Sequence, residues 1–174
     1  MPLTLYEAFV PGCQQMLAGL NTVLGKGEAF AEEQGIDASE LIEARLAENM
    51  WTLPWHVRSC WVHSGYAVER LEIGAFTPDF TSVPDSWDAM RAMIADAQEK
   101  LSKVTAEQLE AAADKPVPFV MGGKTLMTLT GQNMLLSFNQ PNIYFHASTF
   151  YGILRMKGVP LGKMDFMGPM RIMT

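Results

Sequence analysis

Four long stretches of this chain repeat apolar residues at intervals of three and four, and this periodicity constrains the fold more than any other feature. The first stretch carries Leu5, Phe9, Cys13, Met16, Leu20 and Val23. Such spacing places the apolar side chains on one face of an α-helix. Four amphipathic helices that bury these faces against each other predict an all-α fold, a four-helix bundle in a single domain over residues 1–174.

Local signals indicate where the four helices begin and break. Thr4 and Glu7 have the spacing of a capping box, which predicts a helix start at Thr4. A second long helix is predicted over residues 52–73. The third is predicted to bury Trp87, Met90, Ile94, Ala97 and Leu101. The fourth is predicted over residues 131–157, and Pro141 inside it is expected to kink it or to split it into two segments.

The apolar period changes from helical to alternating just before the last helix. Alternation begins at Val117, and Gly122 and Gly123 follow it before a second extended run. Adjacent glycines favour a tight hairpin turn, because both turn positions need a positive φ angle. The sequence therefore predicts a small β-hairpin at residues 117–128, inserted before the last helix.

The C-terminal tail after Gly158 is punctuated by glycine and proline and is unusually apolar. Phe166 and three methionines fall within residues 159–170. A tail that extended into solvent would expose this apolar surface. We therefore predict that residues 159–170 pack along the bundle.

Charge and composition exclude several classes of function. The net charge is −6 and the chain has no basic cluster, so no nucleic-acid partner is expected. No apolar run approaches the roughly 20 residues of a membrane-spanning helix, and the first ten residues lack the layout of a signal peptide. Cys13 and Cys60 lie on predicted apolar helix faces and form no CxxC pair. These features predict a cytoplasmic protein, and the low charged fraction favours a homodimer.

The chain contains only three histidines, His56, His63 and His146. His56 and His63 lie seven residues apart and share a face of the predicted second helix, with Cys60 between them. An i,i+4 pair of His56 and Cys60 could hold a metal ion. Both histidines also fall at the edge of the apolar helix face, where they would be structural residues beside tryptophans. The sequence leaves both interpretations open.

A polar stripe runs along the predicted last helix. Its members, at intervals of three and four, are Asn139, Asn142, His146 and Thr149. Buried polar groups without partners cost on the order of 1–3 kcal/mol each, so the stripe is either an internal hydrogen-bond network or the wall of a pocket. The pocket interpretation makes His63, Asn142, His146 and Thr149 candidate ligand contacts. His63, Asn142 and Thr149 are also the predicted hydrogen-bond partners of an inward-facing His146.

The chain resembles a known family in three segments. They are LTLYEAFVPGCQQMLAGL at the N-terminus, ELIEARLAENMWTLPWHVRSC in the middle, and PNIYFHASTFYGILRMKGVPLGKMDFMG near the C-terminus. They resemble a bacterial and fungal family of unknown function within the DinB-like superfamily. The resemblance implies a DinB-like four-helix bundle, often a homodimer. That superfamily includes proteins classed as metalloenzymes and thiol-dependent S-transferases.

Better-understood members of the superfamily bind a divalent metal through three histidines, one from the second helix and an HxxxH pair on the last. In this chain His56 or His63 could supply the first ligand and His146 one member of the pair. Phe150 and Asn142, however, occupy the positions one turn to either side of His146. We therefore expect no tightly held cofactor, and His56, His63 and His146 are weak candidates for zinc or nickel.

These observations predict a protein with a small-molecule pocket near its last helix. A metal- or thiol-dependent transferase is one alternative, and a non-catalytic interaction or stress-related module is another. No GxSxG, HExxH, P-loop or GxGxxG motif is present to choose among them. The sequence does not decide whether the protein is an enzyme.

Overall fold

The computed structural model describes residues 3–173 and confirms the predicted helical bundle with a small hairpin. The α-helices are α1 (Leu5–Gln34), α2 (Ala38–Ile42), α3 (Leu53–Val62), α4 (Gly65–Ile73), α5 (Trp87–Lys103), α6 (Ala106–Ala112), α7 (Gly131–Asn133), α8 (Gln140–Met156) and α9 (Lys163–Met167). The strands are β1 (Pro116–Met121) and β2 (Lys124–Thr130), and a π-helical segment (Met134–Asn139) joins α7 to α8. Across the described residues, no helix is both long enough and apolar enough to cross a membrane.

The four corners of the bundle are α1, α3 with α4, α5, and α8. Helix α1 packs against α5 and α8, and α3 packs against the same two helices. Helices α1 and α3 therefore stand at opposite corners, and the apolar faces meet in the centre. Fully buried core residues include Phe9, Leu24, Val57, Met90 and Phe150. The apolar face predicted for the third helix is buried throughout.

Helix α1 begins and ends as its sequence predicts. The Thr4 hydroxyl accepts a hydrogen bond from the Glu7 backbone N–H, and the Glu7 carboxylate accepts one from the Thr4 backbone N–H. Gly35 ends the helix at φ 63°, in the left-handed region that glycine enters without a steric penalty. Between these caps one continuous helix supplies a full side of the bundle.

The single helix predicted over residues 52–73 is wrong, because the structure breaks it after Val62. Ser64 has φ −131° and ψ −97°, outside the helical region, and its hydroxyl donates to the Cys60 carbonyl at 2.5 Å. Gly65 then starts α4 against α5, where an added Cβ would lie 2.6 Å from the Ala97 carbonyl oxygen. A side chain that satisfies a helix-end carbonyl and a glycine at a close helix contact together favour the break. The break leaves His63 at the C-terminal end of α3.

The hairpin anchors the long loop that follows α4, residues 75–86. Gly122 and Gly123 have φ angles of 57° and 75°, as the predicted tight turn requires. The Phe76 backbone N–H donates to the Pro118 carbonyl at 2.9 Å, and its carbonyl accepts from the Val120 N–H at 2.8 Å. These two bonds hold the 75–86 loop against β1, on the side of the bundle where α3 ends.

The last long helix is interrupted by the π-helical segment rather than by a simple kink. The interruption ends just before Pro141, in agreement with the predicted split. Asn139 at its end is fully buried, and its side-chain amide donates to the Met134 carbonyl at 2.7 Å. π-Helical turns occur often at functional sites, because they re-aim side chains relative to a regular helix. Here the segment directs Asn139 towards α3.

The tail lies along the bundle, as predicted. Val159 and Leu161 are buried, and the Gln15 amide donates to the Met167 carbonyl at 2.9 Å. Met164 and Met170 are exposed, so these two side chains do not anchor the tail. The tail is held instead by backbone contacts with α1 and by its first apolar residues.

Candidate functional site

The three histidines of the chain converge in one cluster between α3 and the last helix. The Nδ1 atoms of His56 and His146 lie 3.0 Å apart. The rings of His63 and His146 are parallel to within 3°, with centroids 6.1 Å apart. All three side chains are at most 8% exposed. His56 and His63 therefore lie inside the bundle rather than at the edge of its apolar face, because α8 covers both of them.

The hydrogen bonds of His56 fix its tautomer. Its Nε2 atom lies 3.2 Å from the Trp51 backbone carbonyl, which can only accept, so Nε2 carries the proton. Burial lowers the pKa of His56 to about 4, although the bond to Trp51 opposes this shift. His56 is therefore neutral at pH 7, and its Nδ1 must accept the hydrogen bond from Nδ1–H of His146.

His146 consequently presents an unprotonated Nε2 atom. Burial lowers its pKa to about 3, and the neighbouring His56, His63 and Arg58 add to this shift. The ring is neutral and its one proton lies on Nδ1, so Nε2 keeps a free lone pair. No hydrogen bond joins this atom to any residue of the described chain. It can accept a hydrogen bond from a bound molecule.

Asn139 fixes the tautomer of His63 in the same way. The Asn139 amide nitrogen donates to Met134, so its Oδ1 faces Nδ1 of His63, at 2.8 Å, as an acceptor. Nδ1 of His63 therefore carries the proton. Burial lowers the pKa of His63 to about 4; the bond to Asn139 opposes the shift and Arg58 adds to it. His63 is thus a second neutral imidazole in a fixed orientation.

A pocket of about 290 Å³ opens over His146. It is lined by Asn49, Met50, Trp51, His56, Phe145 and His146. The Trp51 ring stacks on the His146 ring, with centroids 5.6 Å apart and an interplanar angle of 12°. Trp51 and Phe145 are 39% and 56% exposed, so aromatic surface forms the mouth of the pocket. Two other hollows, next to α6 and β1, contain neither histidine nor aromatic side chains.

Three of the four predicted pocket residues, His63, Asn142 and Thr149, lie outside this pocket. The Asn142 side-chain amide donates to the Phe138 carbonyl at 2.7 Å, and the Thr149 hydroxyl donates to the Phe145 carbonyl at 2.8 Å. Both side chains thus bond to a backbone carbonyl four residues earlier in the chain. The predicted partners of His146 are also wrong, because the structure pairs it with His56. The Trp51 carbonyl at the start of α3 holds His56 with its Nδ1 atom towards α8.

Arg58 is a buried charge next to the cluster that sequence reasoning missed. Its side chain is 2% exposed, and its guanidinium lies over the rings of Phe80, 4.4 Å from the centroid, and Trp55, at 5.5 Å. The Nε and Nη2 atoms have no hydrogen-bond partner. None of the ion pairs among residues 3–173 involves Arg58. The one available signal was a single charge inside the apolar run LPWHVRSCWV of α3.

The cluster offers few free ligands to a divalent ion. A spacing of 3.0 Å would suit two nitrogen ligands of one metal, but His56 and His146 use these atoms to bond each other. No carboxylate joins the histidines, and the buried charge of Arg58 opposes a nearby cation. Burial raises the pKa of the Cys60 thiol, so a thiolate ligand is disfavoured as well. Within the described residues, no group of three or more His, Cys, Asp or Glu is arranged to hold a metal.

The architecture defines a DinB-like helical protein. The chain is similar to the crystal structure of a DinB family member protein from Shewanella denitrificans, with a TM-score of 0.82 and 29% sequence identity. The similarity covers 98% of this chain and 95% of that chain. The family model of the domain of unknown function DUF1993 matches residues 5–167. The chain therefore belongs to the DUF1993 family, which confirms the resemblance found in the sequence. No curated protein matches the chain.

Proposed function

We propose that the protein binds a small organic molecule in the pocket over His146. The free Nε2 atom of this neutral, buried imidazole is the observation that carries the proposal. Ligand pockets are commonly apolar and aromatic, with a few fixed polar groups that orient the ligand. Trp51 and Phe145 supply the aromatic walls here, and His146 supplies the fixed polar group.

The hydrogen bonds from His146 to His56 and from His56 to the Trp51 carbonyl leave Nε2 of His146 as an acceptor rather than a donor. Its Nδ1 proton is held by His56, which is held in turn by the Trp51 carbonyl. Rotation or tautomerisation of the ring would break these bonds in a buried setting, at a cost of roughly 1–3 kcal/mol for each unpaired group. The favoured ligand therefore carries an aromatic or apolar ring and an O–H or N–H donor for Nε2.

A metal- or thiol-dependent transferase is the second candidate, favoured by the convergence of all three histidines. We nevertheless propose that the pocket works without a resident zinc or nickel ion. The pairing of His56 with His146 and the positive charge of Arg58 support this proposal. Neither candidate identifies a reaction, so we propose binding and no chemical step.

Phenol and anisole form a matched pair of probes for the pocket. Both are single aromatic rings, but only phenol can donate a hydrogen bond to Nε2 of His146. We expect phenol to bind several-fold more tightly than anisole, because a net hydrogen bond contributes about 0.5–1.5 kcal/mol. Binding is measured by ¹⁵N-histidine NMR, in which the chain gives signals from only three imidazoles. The His146 Nε2 resonance should shift most.

Two variants and a chelator test whether phenol binds in this pocket and without a metal. Phe145→Ala should weaken phenol binding roughly 2- to 10-fold, because it removes an aromatic wall. Leu126→Ala removes a similarly exposed apolar side chain from β2 and should leave binding unchanged. EDTA should have no effect on phenol binding. Equal affinity for phenol and anisole, or stoichiometric zinc that is lost on mutating His146, would contradict the proposal.

We also propose that the protein is a cytoplasmic homodimer. Exposed apolar side chains such as Leu3 and Ile73 support self-association, as does the family resemblance. Cys13 and Cys60 are both free and buried, which suits a reducing compartment. Light scattering at tens of micromolar should give twice the chain mass of 19.3 kDa. A mass of one chain under these conditions would count against the dimer.

A further inference from the structure

The guanidinium of Arg58 presents an unused pair of donors from within the protein. Its two unpartnered atoms, Nε and Nη2, direct their N–H bonds to the same side and form one two-donor edge of the group. This edge matches the two oxygens of a carboxylate, which arginine binds through parallel hydrogen bonds. Buried charges in proteins are normally paired, so an unpaired one indicates a partner outside the chain.

The described chain offers no carboxylate for this edge. Asp79 is the acidic residue whose charge influences Arg58, yet the pair does not come within salt-bridge distance. The Asp79 carboxylate instead accepts hydrogen bonds from the Thr81 backbone and hydroxyl and from the Ser82 backbone. Its main acceptor atom is therefore already used within the 75–86 loop.

Aromatic rings connect Arg58 to the pocket over His146. The guanidinium lies over Trp55, Trp55 packs on Trp51 with centroids 5.2 Å apart, and Trp51 lines the pocket. Phe80, whose ring centroid lies 4.4 Å from the guanidinium, belongs to the 75–86 loop and is 44% exposed. Arg58 does not itself line the pocket, and Phe80 is a half-exposed side chain that covers its guanidinium.

We propose that Arg58 is the anion-binding group of this site and that the ligand is an organic carboxylate, held by the Nε and Nη2 donors. This inference rests on the proposed function, since it names the chemical class of the molecule bound there. The same charge that disfavours a divalent cation next to His63 and His146 favours an anion. The carboxylate would supply both the missing charge and the two missing acceptors.

Benzoate and benzamide, compared at constant ionic strength in sodium chloride, test the inference. They have nearly the same shape, but only benzoate carries the charge. We expect benzoate to bind the wild-type protein at least about tenfold more tightly, because two charge-assisted bonds to guanidinium are gained. Arg58→Met should abolish the difference. It should also fold, because Arg58 makes no hydrogen bond that the substitution would leave unpaired.

Arg58→Lys distinguishes the two-donor edge from the charge alone. Lysine keeps the charge but cannot form two parallel bonds, so most of the preference for benzoate should be lost. Equal binding of benzoate and benzamide by the wild type, or a preference that survives Arg58→Met, would overturn the inference. So would dissociation of a dimer by Arg58→Met, since the partner would then be a carboxylate of a second copy.

Phenol binding separates this inference from the proposed function. If phenol shifts the His146 resonance while benzoate and benzamide bind equally well, the proposed pocket is supported and the proposed role of Arg58 is contradicted. If neither phenol nor benzoate binds, the proposed function fails together with the inference.

Discussion

Acidification from pH 7 to pH 5 should bring the protein close to unfolding. All three histidines are buried as neutral imidazoles, with pKa values of about 4 for His56, about 4 for His63 and about 3 for His146. Each has an ordinary value near 6.5 in the unfolded chain. At a pH between the folded and the unfolded pKa values, the histidines of the unfolded chain bind protons and those of the folded protein do not. Stability is therefore complete above pH 6.5 and is lost as the pH falls.

The expected loss is comparable to the whole stability of a typical domain. Linkage gives up to about 1.4 kcal/mol per pH unit for each histidine, or roughly 5 kcal/mol for all three by pH 5. Small domains have about 5–15 kcal/mol in total. Urea unfolding at pH 7, 6 and 5.5 measures the slope directly. No other histidine contributes, because the chain contains only these three.

Variants of single histidines test whether the pH dependence of the free energy of unfolding comes from the histidine cluster. His146→Asn removes one titrating group and should reduce the slope by up to about 1.4 kcal/mol per pH unit, while stability at pH 7 also falls. A slope that remains the same in this variant would show that His146 does not titrate as a buried neutral group. A wild-type slope near zero between pH 7 and 5.5 would mean that the folded cluster takes up protons as readily as the unfolded chain does.

Elements governed by local chemistry could be predicted from the sequence. The capping box of Thr4 and Glu7, the Gly122–Gly123 turn and the buried face of α5 each depend on residues that are close together in the chain. The helical spacing of apolar residues then predicted a helical bundle, because four amphipathic helices can bury their apolar faces in few other arrangements. The break after Val62 was missed, since a regular period continues through it.

The arrangement of the candidate site depends on contacts between distant segments, which periodicity cannot supply. The sequence offered the three histidines as candidates, but it did not predict that His146 would bond His56, 90 residues away. The π-helical segment re-aims Asn139 towards His63, and no turn signal in the sequence marks it. Arg58 was missed because its burial depends on Phe80 in the 75–86 loop, which the hairpin holds in place.

Gly65→Ala should be the most destabilising single methyl addition near the site. An alanine Cβ at this position would lie 2.6 Å from the Ala97 carbonyl oxygen and 2.7 Å from the Ala97 Cα. Both are backbone atoms, so α4 and α5 must move apart as whole helices. We expect a loss of about 3 kcal/mol, at the upper end of the usual cost of overpacking and larger than the gain in helix propensity.

Gly152→Ala is the matched control for this substitution. It also adds one methyl group to a helical glycine, in α8, but its nearest neighbour is the Leu46 Cδ1 atom at 4.0 Å. Alanine should therefore stabilise this position by roughly 0.5–1 kcal/mol, through helix propensity alone. Urea unfolding of both variants measures the two effects. Similar stabilities would show that α4 and α5 do not approach each other through Gly65.

The same substitution tests whether the helix break positions the site. His63 lies two residues before Gly65, so moving the start of α4 away from α5 should displace the His63 ring from Asn139 and weaken their 2.8 Å bond. In ¹⁵N-histidine spectra of Gly65→Ala, the His63 Nδ1 resonance should therefore shift, while the bonded pair of His56 and His146, farther from the break, shifts less. If His146 shifts as much as His63, the three imidazoles form one rigid unit. The break then sets the geometry of the pocket as well as that of His63.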